Sequence, residues 1–227
     1  MDSTQLTGMI VAVGALGTAA YGLVDTTKSV FGGVSNAGFV YIQRVIAELF
    51  PATDAKQAPP PLLGTDALLG QLRASWLNGV PLADQRMIAK TLIKLRLTPE
   101  NAGAMAQQAG VDAEVLTSVV RKMSSGEPLK QPETDAFGRF DLILTTALDQ
   151  AYQRADQRYR NWCKALAIPL SVILAMIAAW ALHDKDIPGL YTKALLAGLL
   201  ATPLAPIAKD VSSAVQAGAK AVQAFKK

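Results

Sequence analysis

The chain is poor in the residues that build metal centres and disulfides. Its 227 residues include one cysteine, Cys163, and one histidine, His183. A single cysteine cannot form a disulfide within the chain. The pair cannot supply the usual ligand sets of a zinc site or a two-histidine iron site, which leaves carboxylate sites and sites shared between subunits. We therefore expect no metal ion and no cofactor.

Catalytic motifs are also lacking. The Gly32-Gly33 pair has neither the lysine nor the preceding strand of a phosphate-binding loop, and His183 has no evident triad partners. We expect no catalytic residue and hence no enzyme.

Charge is the third scarcity. Charged residues make up 18% of the chain and hydrophobic residues 51%, with a mean hydropathy of +0.24. Soluble domains carry about 25% charged residues. This balance predicts an integral membrane protein, with the lipid bilayer as its first partner.

Three apolar runs are candidates for the membrane spans. Residues 8–24 and 165–182 contain no charge, and residues 190–207 contain only Lys193, near their start. Each run approaches the ~20 residues that cross hydrocarbon. A cleaved signal peptide is the alternative for the first run, but it would begin with basic residues, whereas here Asp2 precedes the run. We favour three transmembrane helices.

Residues 26–50 mix apolar positions with Lys28, Arg44 and Glu48. We interpret them as an amphipathic helix that lies on the membrane surface or packs on the bundle, with a further span as the alternative. Residues 51–63 contain three consecutive prolines and predict an extended linker.

Helical spacing of apolar residues predicts a soluble helical domain over residues 64–132. Thr98-Pro99 and Asp112 are typical helix starts within it. From residue 133 onward no proline occurs before Pro169, so one long helix should run from the domain into the second span. The predicted fold is an all-α membrane protein with four segments: 1–50, 51–63, 64–132 and 133–227.

Basic residues predict the orientation. Arg154, Arg158, Arg160 and Lys164 precede the second span, whereas the N-terminus has no base. Because basic residues near the ends of spans stay in the cytoplasm, we treat these four as topology-determining. We expect a bacterial inner-membrane protein with its N-terminus outside and its central domain and C-terminus in the cytoplasm.

Small residues recur at every fourth position of each span, which lets helix backbones approach closely. We predict a helix-packing interface formed by Gly14, Thr18, Gly22, Ala167, Ser171, Ala175, Ala179, Ala197, Ala201 and Ala205. The pattern leaves open whether the packing is within one chain or between chains.

Residues 104–123 resemble a helix-turn-helix, with Ala106, Gly110, Val111, Leu116 and Val119 at its characteristic positions. A DNA-reading helix carries bases at its start, but here the second helix opens with Asp112 and Glu114. Residues 51–160 hold 13 bases and 12 acids, which is no electrostatic footprint for phosphate. We therefore expect packing or protein contact, and no nucleic-acid partner.

These features predict a membrane-anchored helical assembly or adaptor subunit. It would hold a cytoplasmic helical domain at the membrane, and self-associate or bind a membrane-protein partner. The alternative is a homo-oligomeric channel, in which weakly polar residues such as Thr18, Ser171 and Thr202 line a pore between subunits.

Overall fold

A computed structural model describes residues 3–27, 32–50, 64–182 and 187–225. Within these ranges every regular element is a helix, and three helices are long and apolar enough to cross a membrane. This confirms the all-helical class and the three candidate spans. The predicted linker at 51–63 and His183 lie outside the described residues. The helices are α1 (Ser3–Thr26), α2 (Ser35–Leu49), α3 (Thr65–Leu77), α4 (Leu82–Leu95), α5 (Pro99–Gln108), α6 (Ala113–Ser125), α7 (Gln131–Ala181) and α8 (Leu190–Phe225).

The chain divides into two compact units. Residues Met1–Val34 and Arg160–Lys227 form one, which we call the apolar unit because it contains the candidate spans. Residues Ser35–Tyr159 form the other, the central unit. The division falls at residues 35 and 160; the predicted segments 1–50, 51–63, 64–132 and 133–227 stay a prediction.

The boundary between the two units at residue 35 follows from the packing of α2. Its apolar face, including Phe39, Ile42 and Ile46, is buried in the core of the central unit. Gly38 permits this approach, since a Cβ there would lie 2.5 Å from the Ala155 carbonyl oxygen of α7. The indole Nε1 of Trp76 also donates a 3.1 Å hydrogen bond to the Ser35 carbonyl. The amphipathic segment thus has a protein partner for its apolar face.

The helices of the central unit begin where their caps predict. Asp112 accepts a 2.9 Å hydrogen bond from the Val115 amide at the start of α6. Asn101 accepts one of 2.8 Å from the Thr98 amide at the start of α5. Gly110, with φ +61°, turns the chain between α5 and α6, a conformation open to glycine at little cost. The helical hairpin that the sequence suggested is present.

The predicted long helix is present as α7, a single helix of 51 residues. Its residues up to Tyr159 belong to the central unit, and those from Arg160 onward belong to the apolar unit. The boundary at residue 160 arises because Phe140, Leu144 and Leu148, in the first half of α7, pack in the core of the central unit.

In the apolar unit α1 and α8 pack as an antiparallel pair. Gly14 faces Ala205 and Ala208, whereas Gly17, one turn later in α1, faces Ala201, earlier in α8. The predicted orientation needs these two helices to cross the bilayer in the same direction, and the contacts run the other way. The number of basic residues near each helix end contains no information on which helices pack together. The antiparallel packing of α1 and α8 could therefore not be predicted from the base pattern.

Candidate functional site

The predicted packing residues of α1 have different environments. Gly14 is buried against α8, where a Cβ would come within 3.1 Å of the Leu204 carbonyl oxygen. Thr18 is exposed, lines an open groove of about 430 Å³ between α1 and α8, and donates a 3.0 Å hydrogen bond to the carbonyl of Gly14 in its own helix. Gly22 is exposed, and a Cβ added there would meet no atom within 4 Å. Within one chain, Gly14 packs closely on α8, Thr18 borders the groove beside it, and Gly22 meets open space.

The α7 residues of the predicted interface lie together on one buried face. Ala167, Ser171, Ala175 and Ala179 are all buried, as is Cys163 one turn earlier. In α8, Ala201 is buried, and Ala197 and Ala205 are half-buried. This face therefore packs inside the apolar unit, and any contact that it makes between chains remains a prediction.

Ser171 joins α7 to α8. Its Oγ lies 2.7 Å from the carbonyl oxygen of Gly198 and 2.8 Å from that of Ile168 in its own helix. At the same point a Cβ on Gly198 would lie 2.5 Å from the Cα of Val172. The Ser171 hydroxyl thus lies within hydrogen-bond distance of both helices, where the backbones of α7 and α8 approach closely.

The sequence interpretation missed several residues of this packing. Gly17, Ala20 and Val24 of α1, together with Gly198 and Ala208 of α8, are buried. The buried positions 17, 20 and 24 of α1 alternate three and four residues apart, the spacing of a helical face. The spacing of four residues used for the prediction leads from Gly14 to Thr18 and Gly22, which are exposed, and passes over this face.

The outer surface of the apolar unit carries large hydrophobic side chains. Those exposed on α7 and α8 include Leu166, Ile173, Ile177, Trp180, Leu195, Leu196, Leu199, Leu200 and Ile207. A water-soluble domain rarely exposes so continuous an apolar patch. Small residues inside and large apolar residues outside form the arrangement that hydrocarbon solvates.

The four predicted topology determinants, Arg154, Arg158, Arg160 and Lys164, are exposed on α7. The first two belong to the central unit and the last two to the apolar unit. All four precede the uncharged stretch of α7, so the helix changes abruptly from basic to apolar.

Charges in the central unit tie helices together. Lys90 and Lys94 of α4 both pair with Asp141 of α7, and Arg86 pairs with Asp149 over 2.7 Å. Burial alone would raise the pKa of Asp141, but hydrogen bonds from the two lysines bring it below its ordinary value. Arg86 and Lys90 also line a groove of about 350 Å³ between α4 and α7. Its cations are therefore already paired.

Glu133 forms a similar junction between α6 and the start of α7. Its carboxylate accepts hydrogen bonds from Lys122 Nζ at 2.8 Å, the Lys130 amide at 2.8 Å and Ser118 Oγ at 3.0 Å. The bonds from Lys122 and the Lys130 amide lower the pKa of Glu133 to about 2. This carboxylate is ionised at physiological pH and fixes the first turn of the long helix.

Across the described ranges no group of three or more histidine, cysteine, aspartate or glutamate side chains is placed to hold a metal ion.

Comparisons with known proteins add no functional information to this geometry. No protein-family model matches the chain, and neither a curated protein nor a solved structure shows significant similarity to it.

Proposed function

We propose that this protein is a membrane-anchored helical assembly or adaptor subunit. The apolar unit serves as the anchor, and the central unit is a helical domain held at the membrane surface, where it contacts a second copy of the chain or a protein partner. The proposal makes the protein a structural component and not an enzyme.

The observation that carries the proposal is the difference in side chains between the surfaces of the two units. The apolar unit turns small residues inward and exposes side chains such as Ile177, Leu199 and Leu200. Exposing these to water would cost roughly 25 cal/mol for each Å² of apolar surface, a cost that hydrocarbon removes. The central unit instead buries its large side chains and carries paired charges, which suits water.

The polar groups of the central unit favour a structural role. Its ion pairs join α4 to α7 and α6 to α7, so these charged side chains are engaged between helices. Such ion pairs hold the helices of the domain in fixed positions. A helical surface of fixed shape suits an adaptor that binds a partner.

For the orientation, we propose that the central unit lies in the cytoplasm of a bacterial cell, with the apolar unit in the inner membrane. Arg154, Arg158, Arg160 and Lys164 support this placement, because such bases resist translocation. The opposite placement of the two chain ends is not part of the proposal, since α1 and α8 pack antiparallel.

The channel alternative is less well supported. A pore between subunits needs its weakly polar residues to face water, and Ser171 is buried with its hydroxyl on the Gly198 carbonyl. Thr18 is exposed, but its hydroxyl donates to its own helix. Packing accounts for these residues better than conduction does.

Membrane anchoring is tested by alkaline carbonate extraction of the full chain. We expect the wild type to stay with the membrane. Leu200→Lys should weaken insertion, because a lysine at the centre of a span costs about 2.5–3.5 kcal/mol. Leu142→Lys is the matched control, since Leu142 is 66% exposed on the central unit and Leu200 is 52% exposed on α8. Complete extraction of the wild type would reject the anchor.

The adaptor and channel proposals are separated by two measurements on the purified full chain. Mass in detergent by light scattering shows whether the chain self-associates. Reconstitution into liposomes with an entrapped fluorescent ion reporter shows whether it conducts. We expect no conductance; ion flux that requires the intact oligomer would favour the channel instead.

A further inference from the structure

The register of α1 against α8 fixes where the chain ends lie. Gly17 faces Ala201, and the helices run antiparallel, so Tyr21 lies at the level of residue 197 and Val24 at the level of residue 194. The start of α1 and the end of α8 therefore lie at one end of the pair, which we call the terminal end. The end of α1 and the start of α8 lie at the other, which we call the inner end.

The apolar-unit part of α7, residues 160–181, contacts both helices of the pair at one depth. The side chain of Tyr21 in α1 interacts with Cys163. Ser171 and Val172 contact Gly198 in α8. Both contacted residues, Tyr21 and Gly198, lie at one level of the antiparallel pair.

The directions of α1 and α8 limit how α7 can cross the membrane. If both helices span the bilayer and run antiparallel, the chain leaves α1 and enters α8 on the same side, at the inner end. A single crossing by α7 would deliver the chain to the opposite side, so α7 cannot be a third span.

The buried face of α7 has the residue spacing of helices that pack at an inclined angle. Its small residues, Cys163, Ala167, Ser171, Ala175 and Ala179, recur every four positions. Ridges of residues four apart pack at crossing angles near −50°, whereas near-parallel packing uses rows of three and four. The stripe thus agrees with the contacts that α7 makes.

We infer that α1 and α8 carry the chain across the membrane, that both chain ends lie on the same side, and that residues 160–181 of α7 enter the bilayer from the inner end without passing through it. The inference rests on the proposed membrane anchoring and replaces three spans with two. Lys193 then lies on the same side as Arg160 and Lys164. The lysines of the C-terminal tail lie on the other side, so base counts do not choose between the arrangements and helix packing decides.

Cysteine accessibility tests the inference on the full chain. In a Cys163→Ala background, single variants Ser3→Cys, Asn161→Cys, Ile187→Cys and Ser213→Cys are treated with an impermeant maleimide, before and after permeabilisation of the cells. We expect Ser3 and Ser213 to share one accessibility, and Asn161 and Ile187 to share the opposite one. Ser3 grouped with Ile187, and Asn161 with Ser213, would overturn the inference and restore three spans.

A disulfide cross-link gives a second measurement that does not depend on labelling. The double variant Val24→Cys/Ala194→Cys should form a disulfide in the membrane, since the register places these positions together. Ile10→Cys/Ala194→Cys is the matched control and should not. Cross-linking of the control pair alone would show that α1 and α8 run parallel. Carbonate extraction of the same variants separates this failure from failure of the anchor.

Discussion

The apolar unit and the central unit are built on opposite packing rules. The core of the central unit consists of large side chains, among them Tyr152, Phe140 and Leu144. The interior of the apolar unit consists mostly of small residues, with Val24 and Cys163 among them, whereas large side chains such as Ile177 and Leu200 are exposed. One chain thus contains both arrangements, and α7 takes part in each of them.

The difference fits the proposed anchoring, in which the central unit meets water and the apolar unit meets hydrocarbon. In water, burying large apolar side chains supplies the main driving force for folding. In hydrocarbon that force is absent between helices, so close backbone contact and hydrogen bonds such as that of Ser171 must hold them together. The same substitution should therefore have opposite consequences in the two units.

The largest expected effect is the removal of a large side chain from the central core. Phe140→Ala should lower the free energy of unfolding by about 3–5 kcal/mol, because it leaves a cavity at a fully buried site. Chemical denaturation in detergent, followed through the fluorescence of buried Trp76, measures it. Leu142→Ala, two residues along the same helix and exposed, should cost little. Equal losses would contradict the central core as assigned.

The converse substitution should break the apolar unit. Gly17→Leu places a side chain against the Ala201 backbone, and such overpacking costs up to about 3 kcal/mol. Thermal stability in detergent is the measurement. Gly22→Leu is the control, since the space around Gly22 is open. If the Gly22 variant is the less stable of the two, the face of α1 has been assigned to the wrong residues.

Acid should loosen the central unit through Glu133. Its folded-state pKa is about 2, below the ordinary 4.5, so its contribution is present above pH 4.5 and is lost as the pH falls from there toward 2. The melting temperature of the wild type should therefore fall across this window, and Glu133→Gln should flatten the slope. Glu114→Gln, an exposed acid on α6, should keep it. If the Glu133 variant keeps the wild-type slope, the carboxylate of Glu133 does not cause the loss of stability in acid.

The smallest expected effect is a gain. The hydroxyl of Tyr152 is buried and has no hydrogen-bond partner among the described residues, and burial raises its pKa. Tyr152→Phe keeps the ring against Trp76 and removes the unsatisfied group, so stability should rise by up to about 1 kcal/mol. Denaturation measures the gain, and a loss would mean that the hydroxyl is engaged.

Local chemistry made the helices of the central unit predictable. Thr98, Asp112 and Gly110 act on residues within one turn of themselves, so their roles could be recognised without knowing the fold. The candidate site was predictable only in part. The α7 face of Ala167, Ser171 and Ala175 is buried as a set within the chain. Thr18 and Gly22 of α1 are exposed, so their packing stays a prediction, and Gly17, which the spacing of four did not select, meets Ala201.

The sequence by itself determined the helices, the apolar stretches and the uninterrupted length of α7, because these depend on neighbours within a few positions. Only the tertiary structure decided that α2 packs in the central core, that α1 and α8 run antiparallel, and that the small face of α7 meets Gly198 of α8. Each of these depends on which distant residue fills the space beside a small one, as Gly38 meets Ala155 and Gly198 meets Val172. Local patterns carry no information on that pairing, because many faces of an alanine-rich helix are equally small.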